Sequence, residues 1–179
     1  VAVDFAYEVD PFTEEFFWNI ITSKKAFGRI KMPGEEKIYC LNKGNVQGKI
    51  IGGNLALMGS LIGTSYLPPL KDKILLLEDV GENPYRIDRL LKQLKLSGMF
   101  KQISGVVLGA FTDCNETDPQ KRTLTLGEVI EDYFHELKIP VIYNFPHGHI
   151  KSKVTVAFGT SVKINAAKCF VDYTEAAVS

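Results

Sequence analysis

Few residues in this sequence are equipped for acid–base chemistry. Histidine occurs three times, at positions 135, 147 and 149. His147 and His149 flank Gly148 in "FPHGH", just past the apolar run "IPVIYNF". His135 sits in "EDYFHELK", on an amphipathic helical pattern, and reads as a surface or half-buried residue. The acids are placed more pointedly. In "KILLLED" the apolar residues Ile74 to Leu77 run straight into Glu78 and Asp79. A carboxylate at the end of a buried strand has two uses. It caps the next turn or pairs with a lysine, or it holds one imidazole nitrogen so that the other faces the chemistry. A buried charge without a partner is costly, so both readings demand a neighbour.

Other chemistries are less well served. A metal site built on His147 and His149 needs a third ligand, with Cys114 or Asp113 the nearest options, and the spacing matches no zinc signature. No serine lies in G-x-S-x-G or S-x-x-K. Ser60 and Ser65 flank a helix end and read as ordinary small residues. Cys114 is open to two readings, a nucleophilic thiol or an inert buried one. Gly52, Gly53 and Asn54 either hold an anion on a helix N-terminus or make a tight turn followed by an N-cap.

The elements that must position these groups follow from pattern. Asp10-Pro11 predicts a helix start, with Phe12, Phe16, Ile20 and either Phe17 or Ile21 buried. Residues 23–48 are rich in Gly and Lys and interrupted by Pro33. They read as a linker carrying short strands such as "KIYCL". "GKIIGGNLALMGSL" predicts a short strand, a glycine turn and a helix capped by Asn54. "KILLLED" is a strand buried on both faces. Asn83-Pro84 opens a helix with Ile87, Leu90, Leu91 and Leu94 on one stripe, and Gly98 reads as its stop. "ISGVVLGAF" is a strand, Thr125 and Glu128 form a capping box, and "IPVIYNF" is a strand. "KVTVAF", "SVKINA" and "CFVDY" are expected as three short final strands. From 73 to 145 this is a βαβαβ unit, hence a parallel sheet with right-handed crossovers. Ligands in such sheets gather at the carboxyl ends of the strands. Those ends deliver Glu78 and Asp79, then Thr112 and Asp113, then His147 and His149.

Bulk properties narrow the partners. The chain has 179 residues, 45% hydrophobic and 23% charged, which is globular composition. Basic and acidic residues number 21 each, for a net charge of zero, so nothing suggests a nucleic-acid partner. No apolar run reaches the ~18 residues of a membrane span. Cys40, Cys114 and Cys169 lack C-x-x-C spacing and read as reduced thiols in a cytosolic compartment. The sequence opens "VAVDFAYEVD" without Met, which suggests a fragment of a longer protein.

Taken together, "GKIIGGNLALMGSLIGTSYLP", "KILLLEDVGENPYRIDRLLKQLKLSGMF", "GVVLGAFTDC" and "IPVIYNFPHGH" resemble the LD-carboxypeptidase family of serine peptidases, which includes the microcin-immunity peptidases. The resemblance implies a swivelling β/β/α-type C-terminal domain with a parallel βαβαβ core over 49–179. It implies a linker over 28–48, and over 1–27 the tail of a Rossmann-like N-terminal domain. It implies a Ser-His-Glu triad with Glu78 and His149 here, and with the serine and oxyanion hole outside this chain. Asn54, Asp79 and His147 are carried as substrate-binding positions; many relatives have an apolar residue at the place of His147. No metal and no organic cofactor is implied. The implied reaction is cleavage of the amide between an L-configured centre and a terminal D-amino acid of murein tetrapeptide, in cytoplasmic peptidoglycan recycling. The implied partners are a murein peptide and the missing N-terminal domain, with a homodimer left open. Two alternatives stay open: an immunity-type peptidase cleaving a peptidyl-nucleotide antibiotic, and a non-catalytic binding or dimerising module.

Overall fold

In the computed structural model, residues 4–30, 33 and 37–179 are described. The elements in chain order are α1 (Pro11–Thr22), β1 (Gly28–Arg29), β2 (Tyr39–Asn42), β3 (Asn45–Asn54), α2 (Leu55–Ser60), β4 (Ile74–Val80), α3 (Pro84–Leu96), β5 (Gly105–Thr112), α4 (Leu126–Phe134), β6 (Val141–Tyr143), β7 (Ser161–Asn165) and β8 (Phe170–Tyr173). The described strands form one mixed sheet in the order β1-β8-β7-β3-β4-β5-β6-β2. Its centre, β3 to β6, is parallel. Antiparallel strands finish both sides, β2 on β6 and β7, β8 and β1 beyond β3.

The helices form where local chemistry allows them to start. Asp10 accepts the Thr13 amide at 3.1 Å, with Pro11 at the first helical position of α1. Asn54 accepts the Leu57 amide at 3.1 Å to cap α2. Thr125 and Glu128 exchange side-chain-to-amide bonds of 3.2 and 2.7 Å at the head of α4. Asn83 precedes α3 without capping it; its side chain donates instead to Glu116 at 3.1 Å.

Strand alternation divides the core in two. Leu75 and Leu77 face α2, α3 and α4, packing with Ile87, Leu91 and Phe134. Ile74 and Leu76 face the other way, packing with Phe16 and Ile20 of α1 and with Phe145. All four β4 side chains are fully buried, so truncating one, as in Leu76→Ala, costs about 2–5 kcal/mol.

Two local readings are corrected. The glycine pair does not turn: β3 runs through Gly52 and Gly53 to Asn54, in register with Leu76, Leu77 and Glu78. A Cβ on Gly52 would lie 1.9 Å from the Leu76 carbonyl oxygen, so glycine is what lets the two strands stay paired. "KVTVAF" is not a strand, and two strands rather than three close the chain. Its Val154 is buried as the alternation requires. Its backbone bonds go elsewhere, the Val154 amide to Pro146 O at 2.7 Å and the Ala157 amide to the Tyr173 hydroxyl at 3.2 Å.

Candidate active site

Successive side chains on a strand point to opposite faces, and this separates the two acids at the end of β4. Asp79 goes to the α2 face. It is 2% exposed. Its Oδ1 accepts from Asn54 Nδ2 and from the Val80 amide, both at 2.8 Å, and its Oδ2 accepts from the Ala56 amide at 3.1 Å. Asn54 and Asp79 thus satisfy the head of α2 and each other. They do not join the cleft that holds Glu78.

Glu78 goes to the opposite face, where the chain leaving β6 meets it. That chain keeps following β5 after β6 ends: the Phe145 amide donates to Leu108 O at 3.0 Å and the Ala110 amide to His147 O at 2.8 Å. Gly148 then adopts φ +130°, and a Cβ there would sit 3.1 Å from Glu78 Oε2 and 3.2 Å from Ala110 O. The positive φ calls for glycine, and a side chain there would also press on Glu78 and Ala110. The bend presents His149, whose Nδ1 lies 2.8 Å from Glu78 Oε2. Thr112 at the end of β5 donates its hydroxyl to His149 O at 3.0 Å and anchors the backbone of that residue.

The electrostatics of the pair are asymmetric. The Glu78 side chain is 6% exposed and that of His149 55%. A carboxylate only accepts hydrogen bonds, so Nδ1–H donates to it and Nε2 is left as a proton acceptor toward solvent. This arrangement fixes the tautomer, holds the ring and stabilises the imidazolium formed when Nε2 takes a proton. His147 is built differently. Its Nδ1–H donates to Val154 O at 3.0 Å, and burial lowers its pKa below the ordinary histidine value, against the pull of that carbonyl and of Glu78. His147 lines the cleft as a neutral group.

The cleft measures about 610 Å³ and is bordered by Asp4, Glu78, His147, His149, Lys151 and Lys153. His135 is exposed, at the end of α4. Cys114 is fully buried, its thiol donates to Thr112 O at 3.4 Å, and burial raises its pKa, which disfavours the thiolate a nucleophile requires. Among the described residues no group of three or more His, Cys, Asp or Glu is placed to hold a metal ion. No helix among them is long and apolar enough to cross a membrane. Strand-end position puts Thr112 at this rim in the sequence but gives it no role, and the glycine between two histidines is the sequence signal for Gly148.

Residues 47–164 match the model of the LD-carboxypeptidase C-terminal domain. The chain belongs to the LD-carboxypeptidase family. It is 34% identical over 125 residues to the "Probable murein peptide carboxypeptidase" of Bacillus subtilis, a match covering 70% of this chain and 39% of that protein. It is 29% identical over 133 residues to the microcin C7 self-immunity protein MccF of Escherichia coli, covering 74% and 38%. The crystal structure of muramoyltetrapeptide carboxypeptidase from Oxalobacter formigenes superposes with a TM-score of 0.78 at 27% identity, covering 92% of this chain and 55% of that one. The matched stretches of this family member cover well under half the length of those two curated relatives. Its mixed α/β architecture is the LD-carboxypeptidase fold.

Proposed function

We propose that this chain is the C-terminal part of a serine-type LD-carboxypeptidase that removes the terminal D-amino acid of murein tetrapeptide, a step of peptidoglycan recycling. The observation that carries the reading is the 2.8 Å contact between a buried Glu78 and a half-exposed His149 across 71 positions of sequence. His149 Nε2 takes the proton of a serine hydroxyl as the serine attacks the scissile carbonyl. It then returns that proton to the leaving amino group of the D-amino acid, and Glu78 stabilises the charged ring between the two steps. The serine and the oxyanion-hole amides belong to the N-terminal part of the same protein, outside this chain. Residues 1–27 are assigned to the tail of that part, 28–48 to the linker and 49–179 to the C-terminal domain. Phe16 and Ile20, within 1–27, share a core with Leu76. The free cysteines support a cytoplasmic location.

The similarity to MccF, over 74% of this chain, supports a second reading in which the same dyad serves a peptidyl-nucleotide substrate.

The test is direct. The 179-residue chain alone, incubated with murein tetrapeptide, is expected to release no D-alanine, because a triad acting as a unit retains little activity without its nucleophile. Joined to the serine-bearing part, it is expected to release D-alanine. Turnover by the chain alone, with contamination excluded, refutes the placement of the nucleophile. Cleavage of a peptidyl-nucleotide in preference to murein tetrapeptide by the joined protein selects the second reading.

A further inference from the structure

Residues 144–160 join β6 to β7 without helix or strand, so their backbone groups need partners outside a regular ladder. The stretch up to His149 is tied to β5 by the Ala110 amide and the Thr112 hydroxyl. The stretch just beyond it has a different anchor. Thr13, in the first turn of α1, is completely buried. Its hydroxyl donates to Lys151 O at 3.0 Å and accepts from the Lys153 amide at 2.9 Å. One oxygen therefore closes both ends of a three-residue arc that begins two positions after His149. A competing acceptor, Asp10 Oδ1, is farther away at 3.4 Å and also receives the Thr13 amide. A second tie runs in parallel, from Lys153 Nζ to Asp4 Oδ1 at 2.9 Å. Both ties come from the segment that precedes the matched family domain.

We propose that Thr13 is a positioning residue for His149: its hydroxyl locks the arc 151–153 and so holds the imidazole against Glu78. The inference rests on the reading of His149 as the general base. Valine at this position keeps the volume and the branch but offers neither donor nor acceptor. The Lys151 carbonyl and the Lys153 amide would then lose the one oxygen that pairs both of them, and the arc would shift to find other partners. A displacement of ~1 Å at a catalytic group is enough for a ~100-fold loss of rate.

The experiment uses the full-length protein with murein tetrapeptide as substrate, following kcat, KM and the NMR signal of the His149 Nδ1–H. Thr13→Val is expected to lower kcat by ~10–100-fold with KM little changed, and to broaden or move the His149 signal. Thr13→Ser, which keeps the oxygen, is expected to restore kcat to within ~3-fold of the parent. If Thr13→Val does not fold, Thr13→Cys takes its place, since a thiol bonds weakly; it is expected to lose kcat in smaller measure. Wild-type kcat and an unmoved His149 signal in either folded variant overturn the role of Thr13, while an inactive His149→Ala leaves the base assignment standing. A fully active His149→Ala overturns both.

Discussion

Replacing Glu78 by glutamine changes one atom's chemistry and almost nothing of its shape. In the parent, Oε2 accepts Nδ1–H at 2.8 Å. The glutamine amide group meets Nδ1 with either its oxygen or its NH2. The oxygen keeps the tautomer but supplies no charge to offset the imidazolium. The NH2 demands an acceptor, which moves the ring proton to Nε2 and removes the base altogether. The corresponding carboxylate-to-amide change in a serine-protease triad costs ~10⁴-fold in kcat, which is about 5.4 kcal/mol of transition-state stabilisation. The effect on folding is far smaller. With the His149 side chain 55% exposed, solvent screens much of the pair, and the expected loss is about 1 kcal/mol or less. The assay is D-alanine release from murein tetrapeptide by full-length Glu78→Gln, alongside a thermal melt. A melt close to wild type with kcat reduced by ~10³–10⁴-fold is expected. Activity within ~3-fold of wild type would reduce Glu78 to a structural acid and refute the reasoning.

Asp79→Ala is expected to do the opposite, costing about 2–4 kcal/mol of stability and several degrees of Tm without a change in KM. It leaves three donors near α2 unpaired; a raised KM with an unchanged melt would make Asp79 a substrate ligand instead. His147 gives stability a pH dependence. Its folded pKa lies below the ordinary 6.5, so the unfolded chain binds the proton first, and stability held above about pH 6.5 falls as pH drops toward the folded value. His147→Gln is expected to flatten the difference in Tm between about pH 7.5 and about pH 5.5; identical slopes in the two proteins would count against a neutral, partly buried His147.

The alternation of strands and helices was legible because each signal had a local cause. "ILLL" carries no polar residue, and those four side chains are fully buried on both faces of β4. Asp10, Asn54 and Thr125 all cap as their sequence contexts predict. The glycine pair misled because the same lack of a side chain that breaks a helix also permits the close approach of β3 to Leu76. "KVTVAF" misled because alternation reports a buried face, whereas a strand also requires a free ladder partner. At the site, the period of two in β4 already implies that Glu78 and Asp79 serve different faces, although both sit at the same rim. Thr13 had no local signal for its link to the site: those partners lie 138 and 140 positions away, and only the folded chain brings them together.

The segment between β6 and β7 has a further consequence for the order in which this protein assembles. The contacts that fix His149 against the rest of the fold are long-range: 37 positions to Thr112, 71 to Glu78 and, for the arc behind it, 138 to Thr13. Loop-closure entropy must be met before such contacts return any stabilisation. The sheet can pair and the helices can dock while this connection is still loose. During refolding, far-UV signal should therefore recover before catalytic competence. On gentle warming the sequence should reverse, with the segment opening as its own unit while β3, β4 and β5 stay protected from hydrogen exchange.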